Sequence, residues 1–97
     1  MIERITKNEE RLDNIEASIK ELEQALNNFK KKKKDIYLLN KYYGSKIWFK
    51  DKDNFETHKI TGVKAGVLSE DAVWNMNEEI KDLINDMQSM IEEFKVD

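Results

Sequence analysis

The chain has no cysteine and no proline, and only three glycines and one histidine among 97 residues. Without cysteine there is no disulfide framework, no thiolate zinc or iron–sulfur site and no thiol nucleophile. His58 alone cannot make a two-histidine metal site. The lack of proline and the scarcity of glycine leave few positions that would interrupt a helix. Long apolar runs are missing too, since no stretch approaches the ~20 residues a membrane span requires. Residues 1–11 alternate in charge and do not resemble a signal peptide. These absences predict a helical, cytoplasmic protein with no membrane association, and the length suits one small domain.

What is abundant is charge. Charged residues make up 38% of the chain and apolar ones 39%, against typical values of about 25% and roughly 45–50%. The net charge of −3 conceals an asymmetry: residues 1–50 carry twelve Lys/Arg and eight Asp/Glu, and residues 51–97 carry five and twelve. Such a dipolar chain has either a nucleic-acid surface on its basic half or two elements that attract one another.

From Ile5 onward apolar residues recur at alternating spacings of three and four. Ile5, Leu12, Ile15, Ile19, Leu22, Leu26 and Phe29 fill seven of eight seam positions, with Asn8 the polar one. This is a heptad stripe. Asn8 either fixes register and partner number in a coiled coil or belongs to a solvated first turn. Lys30 to Lys34 then surround the helix, because each residue advances about 100°, and Lys33 lands on the seam. Ile36, Leu39 and Tyr43 resume the spacing. A helix is therefore predicted over about 2–43, either continuous or broken at 30–34.

Gly44-Ser45 punctuates the chain, and Ser45 can cap a short helix over about 45–53. Residues 54–68 read as a loop. Leu68-Ser69-Glu70-Asp71-Ala72-Val73 then reads as a helix start, with Ser69 as N-cap, acids in the first turn and a Leu68–Val73 staple. Val73, Met76, Ile80, Leu83, Met87, Met90 and Phe94 continue as a seam, so a helix is predicted over about 69–95.

The predicted fold is all-α: an antiparallel coiled-coil-like helical hairpin or a compact three- to four-helix bundle. In the hairpin, a first helix of ~63 Å would outrun a second of ~40 Å. The lysine tract would then face Glu78, Glu79 and Asp82, and the overhanging seam around Ile5, Asn8, Leu12 and Ile15 would pair with another copy. If the helix breaks at the lysines, it would instead fold back into the bundle.

Two segments are distinctive together: Tyr42-Tyr43-Gly44-Ser45-Lys46-Ile47-Trp48-Phe49-Lys50-Asp51 and Gly66-Val67-Leu68-Ser69-Glu70-Asp71. The pairing of Tyr-Tyr-x-Ser-x-x-Trp-x-x-Asp with Gly-Val-Leu-Ser-Glu-Asp and a final helix resembles a family of short bacterial proteins classed as a domain of unknown function. The resemblance spans essentially the whole chain. It implies an all-helical fold with a long first helix, and no activity, cofactor or catalytic residue. The chain departs from the family pattern in having no proline in the loop before Gly66, where Thr61-Gly62-Val63-Lys64-Ala65 stands.

Six of the nine aromatics, Tyr42, Tyr43, Trp48, Phe49, Phe55 and Trp74, fall around the helical corner. They are expected to plug the end of the hairpin, their hydroxyl and indole groups bonding to backbone or carboxylates. Asp51 would accept from one of these donors or cap the final helix. Tyr42, Tyr43, Trp48, Asp51, Leu68, Ser69 and Trp74 thus form a structural corner.

No chemistry emerges from the remaining motifs. Asp51-x-Asp53-x-Phe55 begins like a calcium loop but fails at the third ligand and has Glu56 where Gly is required. His58 sits in a polar loop and reads as solvated. The predicted protein is not an enzyme and uses no metal or cofactor. Nucleic-acid binding is the main alternative: Lys30, Lys31, Lys32 and Lys34 supply cations and nearby aromatics supply stacking faces. Against it, the pI is about 5.3, whereas nucleic-acid-binding domains commonly exceed about 9. The expected function is protein–protein interaction, as a homo-oligomer, most simply a dimer, and with an unidentified protein partner, in a bacterial or phage adaptor or inhibitor.

Overall fold

A computed structural model describes residues 1–95. Among these residues the secondary structure consists of four α-helices and one short 3-10 turn, with no strand, so the protein is all-α. The helices are α1 (Ile2–Lys30), α2 (Lys33–Tyr42), α3 (Lys46–Glu56) and α4 (Ala72–Glu93), with the 3-10 turn at Gly66–Leu68 between the last two. The chain divides into two units, one spanning Met1–Tyr37 and the other beginning at Leu38.

The first unit is α1 and the start of α2. No Gly or Pro interrupts residues 2–30, and Glu, a residue that loses little on entering a helix, is the commonest there. At 29 residues, α1 is about 43 Å long. All of its residues are exposed, the apolar stripe included.

Of the two forms expected for residues 2–43, continuous or broken at 30–34, the helix takes the second, interrupted at Lys31 and Lys32. The Lys31 N–H reaches Asn27 at a stretched 3.4 Å, and the Lys32 N–H bonds to Phe29 at 2.9 Å, one residue tighter than an α-helical step. Pairing restarts with the Ile36 N–H on Lys32 at 2.9 Å. The backbone at Lys31 keeps right-handed helical angles, φ −66° and ψ −17°. The hydrogen-bond ladder therefore tightens into a single turn at Lys31-Lys32 and resets. Like charges on successive residues and the loss of the apolar stripe at Lys33 remove what would favour an unbroken ladder here.

The second unit holds the buried residues. Gly44, at φ +75°, takes the left-handed conformation that ends α2. Ser45 then caps α3, its Oγ accepting from the Trp48 N–H at 3.2 Å. α3 runs three residues past the predicted end at 53 because a helix-stop motif lies beyond it. His58 adopts φ +61°, the His58 N–H bonds to Phe55 at 3.1 Å and the Lys59 N–H to Asn54 at 2.8 Å. This is a Schellman motif with histidine where glycine is usual.

Regular helix in α4 begins at Ala72 and its C-cap is Phe94, a narrower span than the predicted 69–95. Ser69 is extended, φ −72° and ψ 151°, and its Oγ accepts from the Ala72 N–H at 3.1 Å. The capping bond is therefore made by Ser69, although the helix becomes regular only after Asp71. Trp48 and Val73, each 3% exposed, are the buried side chains of the described residues. The Gly66–Leu68 turn packs against both α3 and α4.

Candidate functional site

Each group of predicted residues occupies its own part of the chain. Ile5, Asn8, Leu12 and Ile15 lie along α1, where Ile5 and Ile15 are 58% exposed and Leu12 49%. Asn8 turns its polar atoms onto its own helix: its Nδ2 donates to the Arg4 carbonyl at 2.8 Å and its Oδ1 accepts from Arg11 at 3.1 Å. With its amide satisfied locally, Asn8 does not interrupt the stripe with an unpaired polar group. Ile19, Leu22, Leu26 and Phe29 carry the exposed stripe to the end of α1.

Lys30, Lys31, Lys32 and Lys34 are exposed, and they straddle the interrupted ladder. They are therefore distributed around the chain and do not line one face.

The corner residues do come together. Tyr42 at the end of α2 donates its hydroxyl to Asp51 Oδ2 in α3 at 2.7 Å. The bonded carboxylate, its negative charge and partial burial hold the Tyr42 hydroxyl above its ordinary pKa, with the hydrogen bond the largest cause. The Trp48 indole donates to the Val67 carbonyl at 2.9 Å, and the Tyr43 hydroxyl donates to the Glu70 carbonyl. Tyr43 and Phe49 pack edge-on to Trp48, with centroids 5.2 and 4.8 Å away. Leu68 is half-buried beside them and Ser69 caps α4.

Trp74 does not join the corner. It is 58% exposed, because its neighbour Val73 takes the buried position and one residue further along a helix points about 100° away.

Residues beyond the predicted set complete the cluster. Lys52 lies 5.3 Å from the centre of the Trp48 ring and reaches Glu70 Oε1 at 2.9 Å. Its bond to Glu70 raises the Lys52 pKa, and the same bond lowers that of Glu70. Further along, Asn40 and Asn77 exchange side-chain amide bonds at 3.2 and 2.8 Å, joining α2 to α4. The sequence held no signal for Asn40, which lies beside Leu39 of the resumed spacing and is exposed. Lys52 had none either, since it is one of many exposed-looking lysines.

The two sequence motifs are thus the two halves of one clamp. Tyr43, Trp48 and Lys52 grip the backbone at Val67 and Glu70 and the Glu70 carboxylate, fixing the segment from which α4 starts. This arrangement has the hydrogen bonding of a structural junction. Among the described residues, no group of three or more His, Asp or Glu side chains is placed to hold a metal ion. No helix among them is long and apolar enough to cross a membrane.

An all-α chain with a long, exposed, heptad-patterned helix and a clamped helical corner defines a small helical domain. Residues 5–95 match the family described as Domain of unknown function (DUF4298), and the chain belongs to that family. No match was found among curated proteins or among solved structures.

Proposed function

We propose that this chain is a non-enzymatic protein–protein interaction module, acting in the cytoplasm of a bacterium, or in its phage, as an adaptor or inhibitor that binds through helical surfaces. The observation that carries this reading is the apolar stripe of α1, whose members Ile5, Leu12, Ile15, Ile19, Leu22, Leu26 and Phe29 are 36–58% exposed. A contiguous apolar strip of this length on a highly charged chain is the mark of a surface that is covered in use. The clamped corner supports the same reading, since its polar groups are spent on holding α3 to the start of α4.

The test is a tagged pull-down from host extract, with and without nuclease, using the native chain and an Ile5→Asp/Leu12→Asp/Ile15→Asp variant. Near-stoichiometric retention of a protein that survives nuclease and is lost in the variant supports the reading. Retention that vanishes on nuclease treatment, and that Lys30→Glu/Lys32→Glu/Lys34→Glu abolishes, would overturn it in favour of a nucleic-acid accessory role.

A further inference from the structure

The stripe on α1 has a fixed heptad frame. Spacings of three and four place Ile5, Leu12, Ile19 and Leu26 at the a positions and Asn8, Ile15, Leu22 and Phe29 at the d positions. The flanks of that seam are charged in an ordered way. The g positions preceding the first two heptads are Arg4 and Arg11, and the e positions are Glu9, Glu16 and Glu23. The two flanks thus carry opposite signs over the N-terminal half of the helix.

That order selects a partner and an orientation. When two identical helices pair in parallel and in register, each g residue faces the e residue of the following heptad on the other chain. Arg4 then meets Glu9 and Arg11 meets Glu16, and the twofold axis repeats both pairs. When two copies pair antiparallel, g faces g and e faces e, so arginine opposes arginine and glutamate opposes glutamate. Among the described residues, none of Arg4, Arg11, Glu9 and Glu16 forms an ion pair within its own chain.

We infer that α1 docks against α1 of a second copy as a parallel, in-register, two-stranded coiled coil, with Arg4–Glu9 and Arg11–Glu16 pairs between chains. This inference rests on the interaction reading above and supplies its first partner. Within α1 the seam ends with Phe29 at a d position, and Lys33 takes the next a position, so the paired segment stops at the interrupted ladder. Two facing copies of the lysine run would repel there.

The absence of cysteine from the chain makes the geometry directly readable. Asn8→Cys and Leu22→Cys, each made singly in the full-length chain, both place a thiol at a d position. A parallel in-register pair brings like d positions together, so both variants are expected to oxidise to covalent dimers. An antiparallel pair can bring a residue opposite itself only at one central level, so at most one of them would cross-link.

The second arm is electrostatic and also uses the full chain. Arg4→Glu/Arg11→Glu is expected to weaken self-association roughly 30-fold at low salt, since four attractive contacts become repulsive. Adding Glu9→Arg/Glu16→Arg to the same chain is expected to restore it. Cross-linking at both sites with charge rescue supports the inference. Cross-linking at one site only, a monomeric native chain, or a doubly swapped chain that stays as weak as the single swap would each overturn it. If the native chain is monomeric yet still retains a host protein through Ile5, Leu12 and Ile15, self-pairing fails while the broader interaction reading stands.

Discussion

Tyr42 donates its hydroxyl to Asp51 across the Gly44-Ser45 turn, at 2.7 Å, and so ties the end of α2 to the middle of α3. A turn of two small residues has little stiffness of its own. The two helical segments are tied by this bond and by the edge-on packing of Tyr43 on Trp48.

The pH dependence of stability follows from the same cluster. Tyr42 has a raised pKa in the folded chain, so its contribution is present below about pH 10 and is lost as pH climbs through the raised value. Lys52 is also raised, and its contribution disappears on the same alkaline side. Glu70 is lowered by Lys52, so its contribution is present above about pH 4.3 and is lost as pH falls through the lowered value. Urea midpoints measured across pH are expected to form a plateau with an acid and an alkaline limb. Tyr42→Phe should flatten the alkaline limb and cost about 1–2 kcal/mol at neutral pH. Lys52→Met should flatten both limbs, and an unchanged acid limb would contradict the Lys52–Glu70 assignment.

Trp48 is one of two buried side chains among the described residues, and it carries both ring packing and the bond to Val67. Trp48→Ala is expected to destabilise the chain by about 3–5 kcal/mol. A small domain whose total stability is about 5–15 kcal/mol would then be near its unfolding threshold. Loss of a cooperative thermal transition for residues 38–95, followed by near-ultraviolet circular dichroism, is the predicted result.

His58 sits at φ +61°, where a side chain is disfavoured and glycine is not. His58→Gly relieves that conformation but enlarges the freedom of the unfolded chain. The balance is a gain of roughly 0.5–1 kcal/mol, read as a higher denaturant midpoint. A lower midpoint would mean that the imidazole makes a contact that offsets its backbone strain.

Asn40 and Asn77 bond reciprocally, so a change at either removes the same pair of amide bonds. Asn40→Ala and Asn77→Ala should each be destabilising, and the double variant should cost less than their sum by about 0.5–1 kcal/mol. Strict additivity would show that the pair does not lock α2 to α4.

Helix type was legible because it rests on local signals: the heptad stripe of α1, Gly44 with Ser45, and the Ser69 cap. The end of α3 was not, since histidine in a left-handed stop has no local signature of the kind glycine gives. The corner was readable as a group of aromatics but not in its wiring. Hydrogen bonds from Trp48 and Tyr43 go to backbone carbonyls, which every residue carries and no sequence pattern marks. Trp74 was misplaced because hydrophobicity points to burial on average, whereas helical phase put Val73 inward and Trp74 outward.

The claim at the centre of this account is that the exposed seam of α1 is a self-association surface. The most direct measurement is the mass in solution, by light scattering at matched concentrations, of the full chain and of a chain that starts at Ile19. The account predicts twice the 11.5 kDa chain mass for the first and a single-chain mass for the second. A full chain at single-chain mass, or a truncated one that remains a dimer, would contradict it.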